Sequence, residues 1–298
     1  MEQSRRRPKK AVVTTLLLLL LGCVVVLSEQ ILQRYNGHRE RSPQSYPVAG
    51  GAYRIVSLAP SLTEDLAALG LVQRLVGVDT LSNRPAPVRR ITRIGSLRAI
   101  SIEQIIALHP DLVVGIPYQE PVVERLRRLG VRAVCIPNDS LDDALSAIAT
   151  LGELTGAQRQ AQHLLAQLRA HLREQRVRAR TMPWIDGIVP IGIDPLYVAG
   201  RGSYLDTLLT LAHVRNIGGT SRVPWPTLSE EYLLVHPPRL IVTASDTDLS
   251  ATPTWRNLPA IRAGCVVRLN SDDLFRPGPH LDRILTRIVG LRVQRVCR

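Results

Sequence analysis

Ile100-Ser101-Ile102-Glu103-Gln104-Ile105-Ile106-Ala107-Leu108-His109-Pro110-Asp111-Leu112-Val113-Val114 lies without a gap over Leu228-Ser229-Glu230-Glu231-Tyr232-Leu233-Leu234-Val235-His236-Pro237-Pro238-Arg239-Leu240-Ile241-Val242. Each copy reads as a serine cap, a short helix, a proline-containing turn and an apolar strand. The chain therefore carries one supersecondary unit twice.

Working outward from the first copy, strands are expected at 54–58, 75–78 and 131–136 as well as at 112–114. Ser61 and Glu64 have the spacing of a capping box, opening a helix that Gly70 closes. Around the second copy, strands are expected near 188–193, 240–243 and 266–269, and helices near 204–211, 230–235 and 281–295. Short strands alternating with helices indicate parallel sheets with helices on their faces. Between the two halves, Leu141, Leu145, Ile148, Leu151, Leu164, Leu165 and Leu168 recur at helical steps from Ser140 to about Arg180, with Gly156 as a bend. Roughly 40 helical residues reach about 60 Å, more than one small domain needs, so the segment reads as a spacer. The expectation is an α/β chain of two lobes, each a central parallel sheet flanked by helices, joined by one long backbone helix. The divisions are 1–51 (signal or membrane anchor and linker), 52–139 (first lobe), 140–180 (connecting helix) and 181–298 (second lobe). Two lobes enclose a cleft, the usual place for a small-molecule site.

The 298 residues carry a net charge of +13, which by itself suggests nucleic acid. The distribution argues otherwise. Arg5, Arg6, Arg7, Lys9 and Lys10 precede an uncharged apolar run from Ala11 to Leu27, the pattern read by export machinery. That run fits an uncleaved anchor, a signal cleaved near Ser28, or a lipidated Cys23, and each puts the folded part outside the cytoplasmic membrane. The arginines from Arg159 to Arg180 have no interleaved aromatics and read as a solvated helix face, so no nucleic acid is expected. None of the four cysteines has CxxC spacing; Cys135 and Cys265 lie in apolar runs and Cys297 is next to last, which reads as buried or incidental thiols.

The chain has no Gly-x-Ser-x-Gly, no Walker loop and no His-Glu-x-x-His, so no catalytic residue, metal site or cofactor is assigned. His109 and His236, each at a helix end beside a proline, read as structural. Glu103 and Glu231 occupy equivalent first-turn positions, either as helix-dipole partners or as a pair of acidic knobs for a partner. The turn-rich Asp272-Asp273-Leu274-Phe275-Arg276-Pro277-Gly278-Pro279-His280 concentrates carboxylates, an arginine and the single Phe, and Pro224-Trp225-Pro226 holds a rigid aromatic.

These motifs in this order resemble the helical-backbone periplasmic substrate-binding proteins of ABC importers, which collect cobalamin, ferric siderophores and haem. The likeness covers about residues 52 to 296. It rests on Arg54 through Glu64, Ile102-Glu103 through Val114, Pro195-Leu196-Tyr197-Val198-Ala199-Gly200 and Arg276-Pro277-Gly278-Pro279. Ser221-Arg222-Val223-Pro224-Trp225-Pro226-Thr227-Leu228-Ser229 is most similar to the cobalamin-binding branch. The resemblance implies a monomeric receptor that is not an enzyme, with cobalamin or a related corrinoid as first ligand and a ferric siderophore as the alternative. A ligand-free tethered scaffold and a cleft enzyme are the readings from other classes. It implies an ABC permease partner docked by Glu103 and Glu231, and ligand contacts at Trp225, Asp272 and Arg276. Leu81 and Leu97 stand where that branch carries aromatics. Ser96 is near a position where the haem branch expects a tyrosine, which disfavours haem. Arg98 and Arg276 suit an anionic chelate, and His280 replaces an arginine usual in the last motif.

Overall fold

In the first half, β1 (Ile55–Ser57) leads into α1 (Pro60–Ala68), followed by β2 (Leu75–Val78), β3 (Thr92–Arg93) and the hairpin β4 (Gly95–Ser96) to β5 (Ala99–Ile100). Then come α2 (Ile102–Ala107), β6 (Leu112–Gly115), α3 (Glu120–Arg128) and β7 (Ala133–Cys135). The connector is α4 (Leu141–Thr155) and α5 (Gln158–Ala179). The second half continues with β8 (Ile185–Ile188), β9 (Pro190–Ile193), β10 (Leu196–Val198), α6 (Tyr204–Leu211), β11 (Val214–Asn216), β12 (Thr227–Leu228), α7 (Glu230–Val235) and β13 (Leu240–Ala244). It ends with α8 (Pro253–Arg256), α9 (Pro259–Arg262), β14 (Val266–Leu269), α10 (Ser271–Phe275) and α11 (Leu281–Val293). This computed structural model describes residues 53–221, 223–249, 253–294 and 297; the N-terminal apolar run and Cys23 lie outside them. Among the described residues, no helix is long and apolar enough to cross a membrane.

The first sheet has the order β3-β2-β1-β6-β7 and the second β11-β8-β13-β14, all strands parallel. Leaving β3 aside, both follow the order second, first, third, fourth, so the repeat seen in the sequence is a repeat of topology. The α/β expectation of parallel sheets flanked by helices therefore holds. The apolar strands follow from burial on both faces. Ile55, Leu112 and Val114 point into one core cluster, Val56 and Val113 into another, alternating as a pleated strand must. The larger cluster also takes in Leu145, Ile148 and Leu151 of α4 and Ile185, Leu208 and Ile241 of the second half, so one core runs through both halves.

Four expectations are corrected. The connector is two helices, not one: Gly156 adopts φ 74° and caps α4 in the left-handed conformation, and Gly152 sits so close to Ala161 that a Cβ there would lie 2.6 Å from that methyl. Glycine has no Cβ penalty in this conformation, so the bend becomes a break. Helix α4 contacts α1 and α6, whereas α5 lies against α6 and α11. Ser61 does not cap α1: the helix begins at Pro60 after Ala59, with no side-chain cap, because proline supplies a preset φ and lacks an N–H to satisfy. The expected strand at 188–193 divides at Val189, β8 joining the second sheet and β9 a small antiparallel sheet of order β12-β10-β9. Finally, Cys265 and Cys297 are not incidental thiols; they form a disulfide across 32 residues, leaving Cys135 free among the described cysteines. No spacing rule announces a bridge between a strand approach and a chain end.

Candidate functional site

In open parallel sheets, ligands collect beyond the carboxyl ends of the strands. Here the loop after β2 (Asp79 to Arg84) and helix α10 after β14 meet at such an edge. Arg276, only 10% exposed, stands between them. Its Nη1 donates to Glu64 Oε1 (2.9 Å) and Asn83 Oδ1 (2.8 Å), and its Nη2 donates to the Leu81 carbonyl (3.0 Å). Nη2 also pairs with Asp272 Oδ1 at 2.5 Å. Beside it, Arg84 binds Asp273, donates to Asn270 Oδ1 at 3.0 Å and approaches Asp272 at 3.6 Å. Asn83 Nδ2 donates to Asp272 Oδ2 at 3.2 Å. First and second halves are thus laced by a charged clasp.

The clasp sits in a region of displaced acidities. Burial raises the pKa of Glu64, and the Arg276 guanidinium opposes that shift. Burial likewise raises Asp79, against the Ser82 hydroxyl and the Leu81 N–H, which both donate to its carboxylate. Asp65 lies well above the ordinary carboxylate range because it is fully buried, with Glu64 adding repulsion. Its Oδ1 has no partner and faces Gly278, where a Cβ would lie 3.0 Å from that oxygen.

The residues singled out from the sequence divide into groups. Asp272 and Arg276 are together, paired with each other. Trp225 is half-buried nearby: its Nε1 donates to Asp139 Oδ1 (3.0 Å) and its ring meets Tyr204 edge-on at 5.8 Å. The Tyr204 hydroxyl donates in turn to the Leu274 carbonyl of α10 at 2.7 Å. Arg98 is exposed at the tip of the β4–β5 hairpin beside Leu97. That hairpin touches the Leu81 loop through Thr80 N–H to the Gly95 carbonyl. Leu81 and Leu97 are 57% and 37% exposed, so both offer free aliphatic surface. His280 precedes α11, half-buried, its pKa lowered first by burial and then by Arg283. Glu103 and Glu231 are exposed in the first turns of α2 and α7, whose N-caps are Ser101 and Ser229. Hydrogen bonds from its own backbone and from Ser229 lower the pKa of Glu231.

Glu64, Asn83 and Arg84 escaped the sequence reading, and Asp273 entered it only as a carboxylate of the turn-rich segment, with no partner named. Glu64 lay in a quoted motif but was spent on the capping box; Asn83 and Arg84 gave no local signal, since only the fold brings Arg84 to Asp273. Among the described residues, no group of three or more His, Cys, Asp or Glu side chains is arranged to hold a metal ion.

Comparison with known proteins agrees with this architecture. The "Periplasmic binding protein" family model matches residues 55–272. A vitamin B12-binding protein of Salmonella paratyphi A is 31% identical over 77% of this chain and 86% of its own length. The crystal structure of the periplasmic vitamin B12-binding protein of Vibrio cholerae superposes with TM-score 0.73 at 27% identity, covering 82% of this chain and 98% of that one. The apo periplasmic haem-binding protein of Roseiflexus sp. RS-1 gives TM-score 0.73 at 25% identity, covering 83% and 100%. These relatives are binding proteins, and the two solved structures are of periplasmic ones. The chain belongs to the periplasmic binding protein family, as a substrate-binding protein of the ABC importer kind.

Proposed function

We propose that this receptor captures cobalamin or a related corrinoid between its two halves and hands it to an ABC permease. On this reading Trp225 offers an aromatic face, Asp272 and Arg276 meet polar ligand groups, and Glu103 and Glu231 dock the permease. Residues 1–51 hold or direct the chain to the outer side of the cytoplasmic membrane, 52–139 and 181–298 form the lobes, and 140–180 connects them. The observation that carries it is the 31% identity to a vitamin B12-binding protein, together with the junction of Asp272 and Arg276 at a strand edge linked through Tyr204 to Trp225. Because Asp272 and Arg276 already satisfy one another, ligand groups must exchange with these partners rather than fill vacancies. A second reading, an anionic ferric siderophore, is favoured by the exposed aliphatic Leu81 and Leu97 and by the cation Arg98.

Fluorescence titration with cyanocobalamin and with a panel of ferric siderophores separates the two, with Trp225→Phe identifying the reporting ring among the three tryptophans. Saturable quenching by cyanocobalamin supports the corrinoid; quenching by siderophores alone supports the second reading, and no response to any removes both. Docking is checked by uptake: Glu103→Arg with Glu231→Arg is expected to lower transport at least tenfold while leaving ligand affinity unchanged. Unchanged transport would refute the two-knob assignment.

A further inference from the structure

Between the end of β14 and the start of α11 lies an open surface cavity of about 250 Å³ lined by the exposed arginines Arg268, Arg283 and Arg287, with Asn270 and Asp273 at its side. Arg283 and Arg287, four residues apart on α11, share one helix face, and Arg268 comes from the neighbouring strand. Leu269 and Ile284, both buried, also line the cavity, so the charges lie against apolar wall. The nearby carboxylates are already engaged: Asp273 holds Arg84, and Asp282 pairs with His171 at 3.0 Å. Among the described residues no carboxylate pairs with any of the three arginines; the only side-chain bond is from Arg268 Nη1 to the Thr247 carbonyl at 3.1 Å. Three like charges around one cavity repel each other, and an oxyanion both relieves that repulsion and accepts from several guanidinium forks.

We propose that this cavity is an oxyanion site for a phosphate group, supplied either as free inorganic phosphate or as the phosphodiester of an anionic lipid headgroup. The volume admits a phosphate with some of its water, and guanidinium forks match its oxygens better than ammonium groups do. The site borders the clasp, sharing Asn270 and Asp273 with it, but its three arginines take no part in the clasp, and the proposal does not depend on the ligand assigned above.

Isothermal titration of the full-length protein at low ionic strength, with inorganic phosphate and separately with glycerophosphoglycerol, tests it. Saturable binding of at least one probe is expected, weakened tenfold or more in R283A/R287A and unchanged in R125A/R128A, which removes two exposed arginines from α3. Preference for phosphate identifies the free ion, and preference for the diester identifies the headgroup. R268Q reports on the same site from the strand side, should the helix variant lose its melting temperature. Saturation by neither probe, or equal weakening in R283A/R287A and R125A/R128A, overturns the proposal.

Discussion

The two halves share a strand order but hold themselves together differently. The first sheet has an extra edge strand, β3, and a second apolar cluster around Val56, Val113 and Leu126, so both its faces are covered by apolar side chains. The second half adds a covalent staple, Cys265 to Cys297. The seam between them adds to the shared core along α4 a polar device of its own, the clasp around Arg276. The copies agree in their strands and helices and diverge in the loops at the strand ends, which is where the candidate site lies. A repeated unit carries the scaffold, and chemistry is written where the repeat breaks.

Arg276→Ala is the sharpest way to break the seam. It leaves Glu64, 6% exposed, without its cation, and removing one member of a buried pair costs about 3–5 kcal/mol. Urea denaturation should show this loss, with partial recovery when Glu64→Gln is added. Opening the staple acts on the second half alone. In the loop-entropy account a crosslink across 32 residues contributes about 3–4 kcal/mol, so Cys297→Ser should lower the unfolding free energy from urea denaturation by a similar amount, and reductant should not lower it further. The smallest effect concerns Asp65, which the first half sets against Gly278 of the second. A carboxyl whose pKa is raised on folding contributes most below its ordinary value of 3.8, and that contribution is lost as pH rises through the folded value. Wild-type melting temperature should therefore fall from pH 4 to pH 8 relative to Asp65→Asn, whose profile should be flatter.

Much of this was legible in advance. Strands at 75–78 and 266–269 and helices at 204–211 and 230–235 stand where periodicity puts them, because burial imposes a pattern on consecutive residues. The connector was legible as helical but not as two helices, since a glycine that bends and a glycine that caps look alike until Ala161 closes on Gly152. The clasp was only half legible. Asp272 and Arg276 are four residues apart and suggest each other, whereas Asn83 reaches them across 189 and 193 residues. Such partnerships leave no periodic trace in a single sequence.

The core that threads α4 has a consequence for the repeat itself. Leu145, Ile148 and Leu151 share their cluster with Ile55 on one side and Ile241 on the other. Cutting the chain between the copies would bare an apolar face on each piece, and neither would be expected to remain soluble. Each copy has therefore lost the autonomy that a separate domain keeps. The two halves should therefore unfold together, and melting should appear as one transition rather than two.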